Sequence, residues 1–168
     1  MNNKPSTLLL ADEEATLSAG ALIGKSLLSN FRPGLITLKG DLGAGKTTFC
    51  RGLLRGMGHT GSVKSPTFTL VEPYEVNGLH IAHFDLYRLE DPEELDFMGF
   101  RDYLSGDTLC LVEWPEKGGS LLAHPDLEIT LIHSGRQRQL SCQALTKTGE
   151  LLASALPSTL FSSLSSDS

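Results

Sequence analysis

The spacing of hydrophobic positions changes repeatedly along the chain, and each change marks the boundary of a predicted element. Ser6–Leu10 (STLLL) is a short apolar run that predicts a first strand. Asp12 then stands as a helix N-cap, with Glu13 and Glu14 in the first turn, where the helix dipole favours acids. Ala15, Ala19, Leu22, Ile23 and Leu27 follow at helical spacing, and the pattern stops near Asn30, before Pro33-Gly34. Leu35–Lys39 predicts a short apolar strand, and a glycine-rich turn leads into a helix that runs through Met57 and ends at Gly58. Residues 59–66 have loop composition. Thr67–Val76 and Leu79–Asp85 predict two strands joined at Asn77-Gly78, a hairpin signal, with Pro73 marking a break or an edge. Asp91-Pro92-Glu93-Glu94 opens another helix, with Asp91 as cap and Pro92 at the first position. Thr108–Glu113 (TLCLVE) predicts a buried strand. Asp126–His133 and Gln137–Thr146 alternate about Ser134-Gly135-Arg136 and predict a second hairpin, and Leu151–Leu156 predicts a terminal helix.

Composition narrows the class. The chain has 168 residues, 40% hydrophobic and 20% charged, which suits one domain over residues 1–156 and rules out a fully disordered chain. From Pro157 onward six of the twelve residues are serine, and a mobile tail is expected there. There is no apolar run long enough for a transmembrane helix, so no membrane partner is expected. The N-terminus has only three consecutive leucines before acid appears, too short for a signal-peptide core, so a cytoplasmic location is expected. Fourteen basic against twenty acidic side chains give a net charge of −6, which disfavours autonomous binding of nucleic acid. Cys50, Cys110 and Cys142 are odd in number, widely spaced and outside any CxxC, so they read as reduced, buried thiols.

The clearest chemical signal is Gly40-Asp41-Leu42-Gly43-Ala44-Gly45-Lys46-Thr47, which fits GxxxxGK[ST] between a predicted strand and a predicted helix. Glycines let the backbone curl so that successive N–H groups point inward at phosphate oxygens, and the following helix offers its positive end. Lys46 supplies a cation for the β- and γ-phosphates, and Thr47 a hydroxyl for Mg²⁺. A dinucleotide-binding GxGxxG fails, because position 48 is Thr48.

Such a loop needs carboxylates, and these belong at the C-terminal ends of strands. Asp85 closes LHIAHFD and Glu113 closes TLCLVE, so each would emerge beside the loop if its strand neighbours Leu35–Lys39. Ser65 and Thr67 offer hydroxyls in a loop of the kind that senses a γ-phosphate in nucleotide switches. Trp114 could stack on a ligand or pack. Arg51 and Arg55, one turn apart, read as a solvated helix face or a partner contact, and His80 and His83, three apart on a strand, point to opposite faces, which speaks against a zinc pair.

GDLGAGKTT at 40–48, SPTF at 65–68, HFDLYR at 83–88 and EWPE at 113–116 occur in one order at compatible spacing, and together they resemble the bacterial TsaE family over roughly residues 5 to 155. The resemblance implies an α/β, three-layer P-loop NTPase fold around a central sheet of parallel and antiparallel strands. It implies an ATPase with ATP and Mg²⁺ as cofactors, supporting formation of threonylcarbamoyladenosine next to the anticodon of tRNA. It implies a TsaD–TsaB heterodimer as partner, through which tRNA is reached. Carried onto this chain, Asp41, Leu42, Gly43, Ala44, Gly45, Lys46, Thr47, Thr48 and Trp114 contact nucleotide, and Thr47, Asp85 and Glu113 organise metal and water. Lys46, Asp85 and Glu113 carry the catalysis, with Ser65 and Thr67 in a switch-like loop. Two other classes compete. A small-molecule P-loop kinase would need an arginine-bearing lid, and no loop clusters the arginines. A GTPase-like switch module would need NKxD, which is absent, and its one DxxG, Asp96-Phe97-Met98-Gly99, falls in a helical stretch.

Overall fold

The computed structural model describes residues 6–156, and the expected tail from Pro157 lies outside them. Strands β1 (Ser6–Leu10), β2 (Gly34–Lys39), β3 (Val71–Val76), β4 (Leu79–Asp85), β5 (Thr108–Glu113), β6 (Leu127–Ser134) and β7 (Gln137–Ala144) form one sheet in the order β1-β7-β6-β2-β5-β4-β3. The central ladders β6–β2, β2–β5 and β5–β4 are parallel, and β4–β3, β6–β7 and β7–β1 are antiparallel. The fold is therefore α/β with the mixed central sheet that the resemblance implies.

Helices α1 (Glu13–Ser29), α2 (Lys46–Gly56) and α5 (Lys147–Ala153) contribute to a core on one face of the sheet, with Ile23, Leu27, Phe49, Leu53, Leu54 and Leu152 set against Ile36, Leu38, Leu109 and Leu111. The opposite face carries α3 (Glu93–Phe97), α4 (Phe100–Ser105) and a 3-10 segment (Pro115–Leu122), with Leu95, Phe100 and Leu122 packed on Leu35, Ala82, Cys110 and Val112. The alternation is the period of two of a strand buried on both faces: Leu109 and Leu111 serve one core, Cys110 and Val112 the other. All three cysteines are free and buried, as expected.

The two helices behind the phosphate loop approach closely because both are glycine-lined at the contact. A Cβ at Gly24 of α1 would sit 2.9 Å from the Leu53 carbonyl carbon and 3.1 Å from the Met57 nitrogen of α2. Gly52 and Gly56 of α2 face the backbone of Leu17 and Ala21 in the same way.

The expected cap of α1 holds: Asp12 accepts from Ala15 N at 2.9 Å. Three local expectations need correction. The helix expected to open with Asp91 as cap and Pro92 at the first position has Pro92 as its cap and begins at Glu93; Asp91 precedes it, its carboxylate accepting from Glu93 N at 3.0 Å. The strand predicted from Thr67 begins only at Val71, because residues 67–70 close a turn in which Leu70 N donates to Pro66 O (2.8 Å) and Leu70 takes φ +68°. The last helix starts at Lys147 rather than Leu151, because the Thr146 hydroxyl accepts from Gly149 N (3.1 Å) and caps it, which also ends β7 at Ala144.

Candidate nucleotide site

The site is assembled at the C-terminal edge of the parallel strands. Central strand β2 ends at Lys39, and residues 40–45 turn back over the sheet edge into α2. At the last turn position Gly45 has φ +108°, a left-handed conformation that a side chain strongly disfavours, and the next residue already begins the helix. This aims the free N–H groups at the start of α2 into a cleft of about 330 Å³. Leu42 to Thr48, Ser65, Thr67, Asp85, Tyr87, Glu113 and Trp114 line it.

Strand register sets the acids. Asp85 of β4 and Glu113 of β5 are directly paired on adjacent parallel strands. Their odd-numbered positions put both on the face of Ile81, Leu109 and Leu111, the face that α2 covers. The Thr47 hydroxyl donates to Glu113, with its oxygen 2.9 and 3.1 Å from the two carboxylate oxygens. Asp85 is held by the loop before β3: Ser65 Oγ donates to its Oδ2, Thr67 Oγ1 lies 3.3 Å from the same oxygen, and Tyr87 N donates to Oδ1 at 2.9 Å. Both acids are buried, at 4% and 3% exposure, so their charge acts in a medium much less screening than water.

Lys46 is also buried. Its ammonium donates to Gly40 O and, at 2.9 Å, to Asp41 O. It lies 4.2 Å from the centre of the Trp114 ring. Burial pulls its pKa below the ordinary 10.5, opposed by the negative charges of Glu113 and Asp85. Trp114 itself sits at φ +58°, uncommon for a large side chain. That conformation turns the chain out of β5 and leaves the indole against Lys46 and, at 5.0 Å, the Tyr87 ring. On the other side of the loop a second cavity of about 260 Å³ is bounded by Asp12, Glu13 and Thr16 of α1 and its cap, by Gly43, Gly45 and Thr48, and by Arg136 and Arg138 of the second hairpin.

The structure thus brings together the phosphate loop, Asp85, Glu113, Trp114, Ser65 and Thr67. Asp41 and Leu42 are exposed, Leu42 at the lining of the cleft and Asp41 contributing its carbonyl to Lys46. Arg51 departs from expectation: its guanidinium donates to Val63 O (3.2 and 3.0 Å), tying α2 to the loop at 59–66 instead of facing solvent. His80 is exposed and His83 buried, on opposite faces as expected, yet His83 contacts Glu113 at 2.6 Å, a role the sequence reading missed. The signal was present in the parity of positions 83 and 85: a residue two before a site acid on a strand shares its face.

Sheet order and glycine loop define the class, an α/β protein of P-loop NTPase-like fold. The family described as "Threonylcarbamoyl adenosine biosynthesis protein TsaE" matches residues 10–140. The Haemophilus influenzae tRNA threonylcarbamoyladenosine biosynthesis protein TsaE is 46% identical over 151 residues, spanning 89% of this chain and 96% of the relative. The Bacillus subtilis protein of the same name is 38% identical over 136 residues, 80% of this chain and 85% of the relative. The crystal structure of Bacillus subtilis YdiB superposes with a TM-score of 0.75 at 30% identity, covering 91% of this chain and 94% of that one. The chain belongs to the TsaE family.

Proposed function

We propose that the chain is a Mg²⁺-dependent ATP hydrolase that serves threonylcarbamoyladenosine formation in tRNA, working with a TsaD–TsaB heterodimer in the cytoplasm. The observation that carries the reading is the convergence of Thr47, Glu113 and Asp85 at the mouth of the phosphate loop, over strands whose register pairs the two acids. The family name supports the tRNA modification, and the glycine loop with its two acids supports the phosphate chemistry.

The donors suit Mg²⁺: a hydroxyl and two carboxylates are hard oxygen ligands clustered beside the phosphate cradle. Thr47 and Glu113 would hold the ion and Asp85 would orient its surroundings, the ion supplying charge neutralisation on the phosphate oxygens. The protein's own part is positional. The N–H groups of residues 43–48 bind phosphate oxygens. Lys46 leaves the carbonyls of Gly40 and Asp41 to meet them, and Trp114 shields that ammonium from water. Glu113 or Asp85 orients the attacking water, while Ser65 and Thr67 report its surroundings to the loop at 59–68 through Asp85. The cavity between the α1 cap and Arg136 and Arg138, across the loop, would receive the nucleoside. The DxxG of the GTPase alternative lies in α3 and the turn after it, apart from any strand end, so that alternative gains nothing.

The test is ATP turnover by the purified chain, alone and with the heterodimer, with GTP and added metabolites as competitors. Turnover should be slow alone, rise with the heterodimer and vanish in Lys46→Ala with the fold retained. Undiminished turnover in Lys46→Ala, or GTP preferred to ATP, refutes the reading.

A further inference from the structure

Glu113 has a second hydrogen-bonding neighbour that the chemistry above leaves unused. His83 lies on β4, two residues before Asp85 on the same face, and is fully buried. Apart from the site acids, its neighbours on that face are Ile81 on its own strand, Leu111, its register partner on β5, and the buried Cys50 thiol of α2, whose sulfur lies within 4.8 Å of ligand atoms of His83 and Glu113. An imidazole is an expensive choice among such neighbours unless it makes a hydrogen bond that matters. Among the described residues its ring has one hydrogen-bond contact, with the site acid, Nε2 lying 2.6 Å from Glu113 Oε2.

The geometry also says which way that bond runs. His83 Nδ1 is buried and has no hydrogen-bond partner among the described residues. A buried N–H without an acceptor is rarer and more costly than an unmatched lone pair. The proton therefore sits on Nε2, and the imidazole donates to the carboxylate. Thr47 provides the other hydrogen bond to Glu113, but its hydroxyl is a rotor on the helix that would turn to a metal. A carboxylate's terminal torsion is soft, so Glu113 needs a fixed donor to hold its plane.

We propose that His83 is a positioning residue: its Nε2–H pins Glu113 Oε2 and so fixes the plane of the carboxylate, both of whose oxygens lie within reach of the Thr47 hydroxyl. The inference rests on the ATP-hydrolysing reading above. It predicts that the imidazole affects metal use and turnover through Glu113, and leaves untouched the nucleotide binding that belongs to the loop backbone and Lys46.

The experiment compares wild type, His83→Met and His83→Gln as full chains with the TsaD–TsaB heterodimer. Readouts are kcat and KM for ATP, the Mg²⁺ concentration at half-maximal rate, the affinity for ADP without metal, and Tm. Methionine fills the space without a donor; glutamine restores an N–H. Loss of an outer hydrogen-bond partner of a metal-site ligand lowers affinity or activity about 10–100-fold. His83→Met should show a loss of that order in kcat and a raised Mg²⁺ requirement, with metal-free ADP affinity unchanged, and His83→Gln should recover much of it. If methionine fails to fold, His83→Asn, whose shorter amide does not reach Glu113, takes its place beside glutamine, and equal turnover and metal use in the two overturns the inference. Wild-type turnover with an indifferent methionine variant overturns the inference alone. So does loss of metal-free ADP affinity and Tm in step with kcat in both variants. A wild-type chain without ATP turnover overturns the functional reading and this inference with it.

Discussion

Gly24→Ala should destabilise the protein, against the direction that helix propensity predicts. Within a helix, glycine to alanine gains about 1 kcal/mol when nothing else changes. Here the new methyl would meet the Leu53 carbonyl carbon at 2.9 Å and the Met57 nitrogen at 3.1 Å, closer than the roughly 3.5 Å at which such atoms attract. Those atoms belong to the α2 backbone, so no rotamer change relieves the clash. The Leu53 carbonyl oxygen lies closer still to the added carbon, so the helices must separate by roughly 1 Å or more, which loosens the contacts of Leu27, Leu53 and Leu54. Overpacking of this kind costs about 1–3 kcal/mol, and the strain falls at its upper end because backbone is involved. The net loss is then about 1–2 kcal/mol, or roughly 2–8 °C in Tm for a chain of this size. Urea and thermal unfolding would measure it, with Lys25→Ala, the next residue and solvent-exposed, as a control expected within about 0.5 kcal/mol of wild type. A Gly24→Ala protein as stable as wild type, or more so, would refute the close-approach argument.

Other outcomes follow from single contacts. Glu113→Gln should keep nucleotide affinity and lose on the order of a hundredfold in turnover, and Asp85→Asn should lose less; parallel binding and turnover measurements decide, and a normal Glu113→Gln beside a dead Asp85→Asn reverses the assignment. Asp126→Ala should cost about 1–3 kcal/mol in urea unfolding, because its carboxylate accepts from Leu35 N (2.8 Å) and from the Thr146 hydroxyl (2.6 Å), joining the start of β2 to the cap of α5. An unchanged midpoint would remove that clamp from the account. Burial pushes the Cys110 thiol up to about 12 and Cys142 to about 11 from 9.0, and Cys50 well above it. The fold thus favours the protonated thiols, a stabilisation complete below pH 9 and lost as pH climbs through 11–12. Thiol reagents at pH 8 should leave the native protein unlabelled and modify all three cysteines after unfolding; rapid native labelling would contradict the burial.

Elements defined by local rules were legible in the sequence. A cap, a period of two or a glycine turn is written within a few residues, and α1, β2, the phosphate loop, both hairpins and β5 appear where those signals stand. Placing Asp85 and Glu113 beside the loop needed only that their strands lie near β2 and run parallel to it, as the sheet shows. What escaped was set by contacts across long stretches of chain. Leu70 turns because Pro66 and Asp85 N use its backbone groups, and Arg51 faces inward because Val63 O needs a donor. Neither partner is visible from local pattern. His83 escaped for another reason: its parity with Asp85 was readable, but its partner Glu113 lies diagonally across the ladder, opposite Asp85, and that register is not written in the local pattern.

The placement of β1 constrains how this chain can be made. Among the described residues its one strand partner is β7, with Leu8 opposite Leu140, so β1 leaves the ribosome long before the strand it pairs with. The parallel pairs of β2 with β5 and of β5 with β4 can form earlier, and α1 can already lie along α2. During that interval the apolar side chains of Leu8 and Leu10 lack their sheet neighbour, and the nascent chain carries an unpaired edge. Vectorial synthesis therefore leaves closure of this edge until last, and the wait is set by translation speed rather than by any intrinsic barrier of the strand.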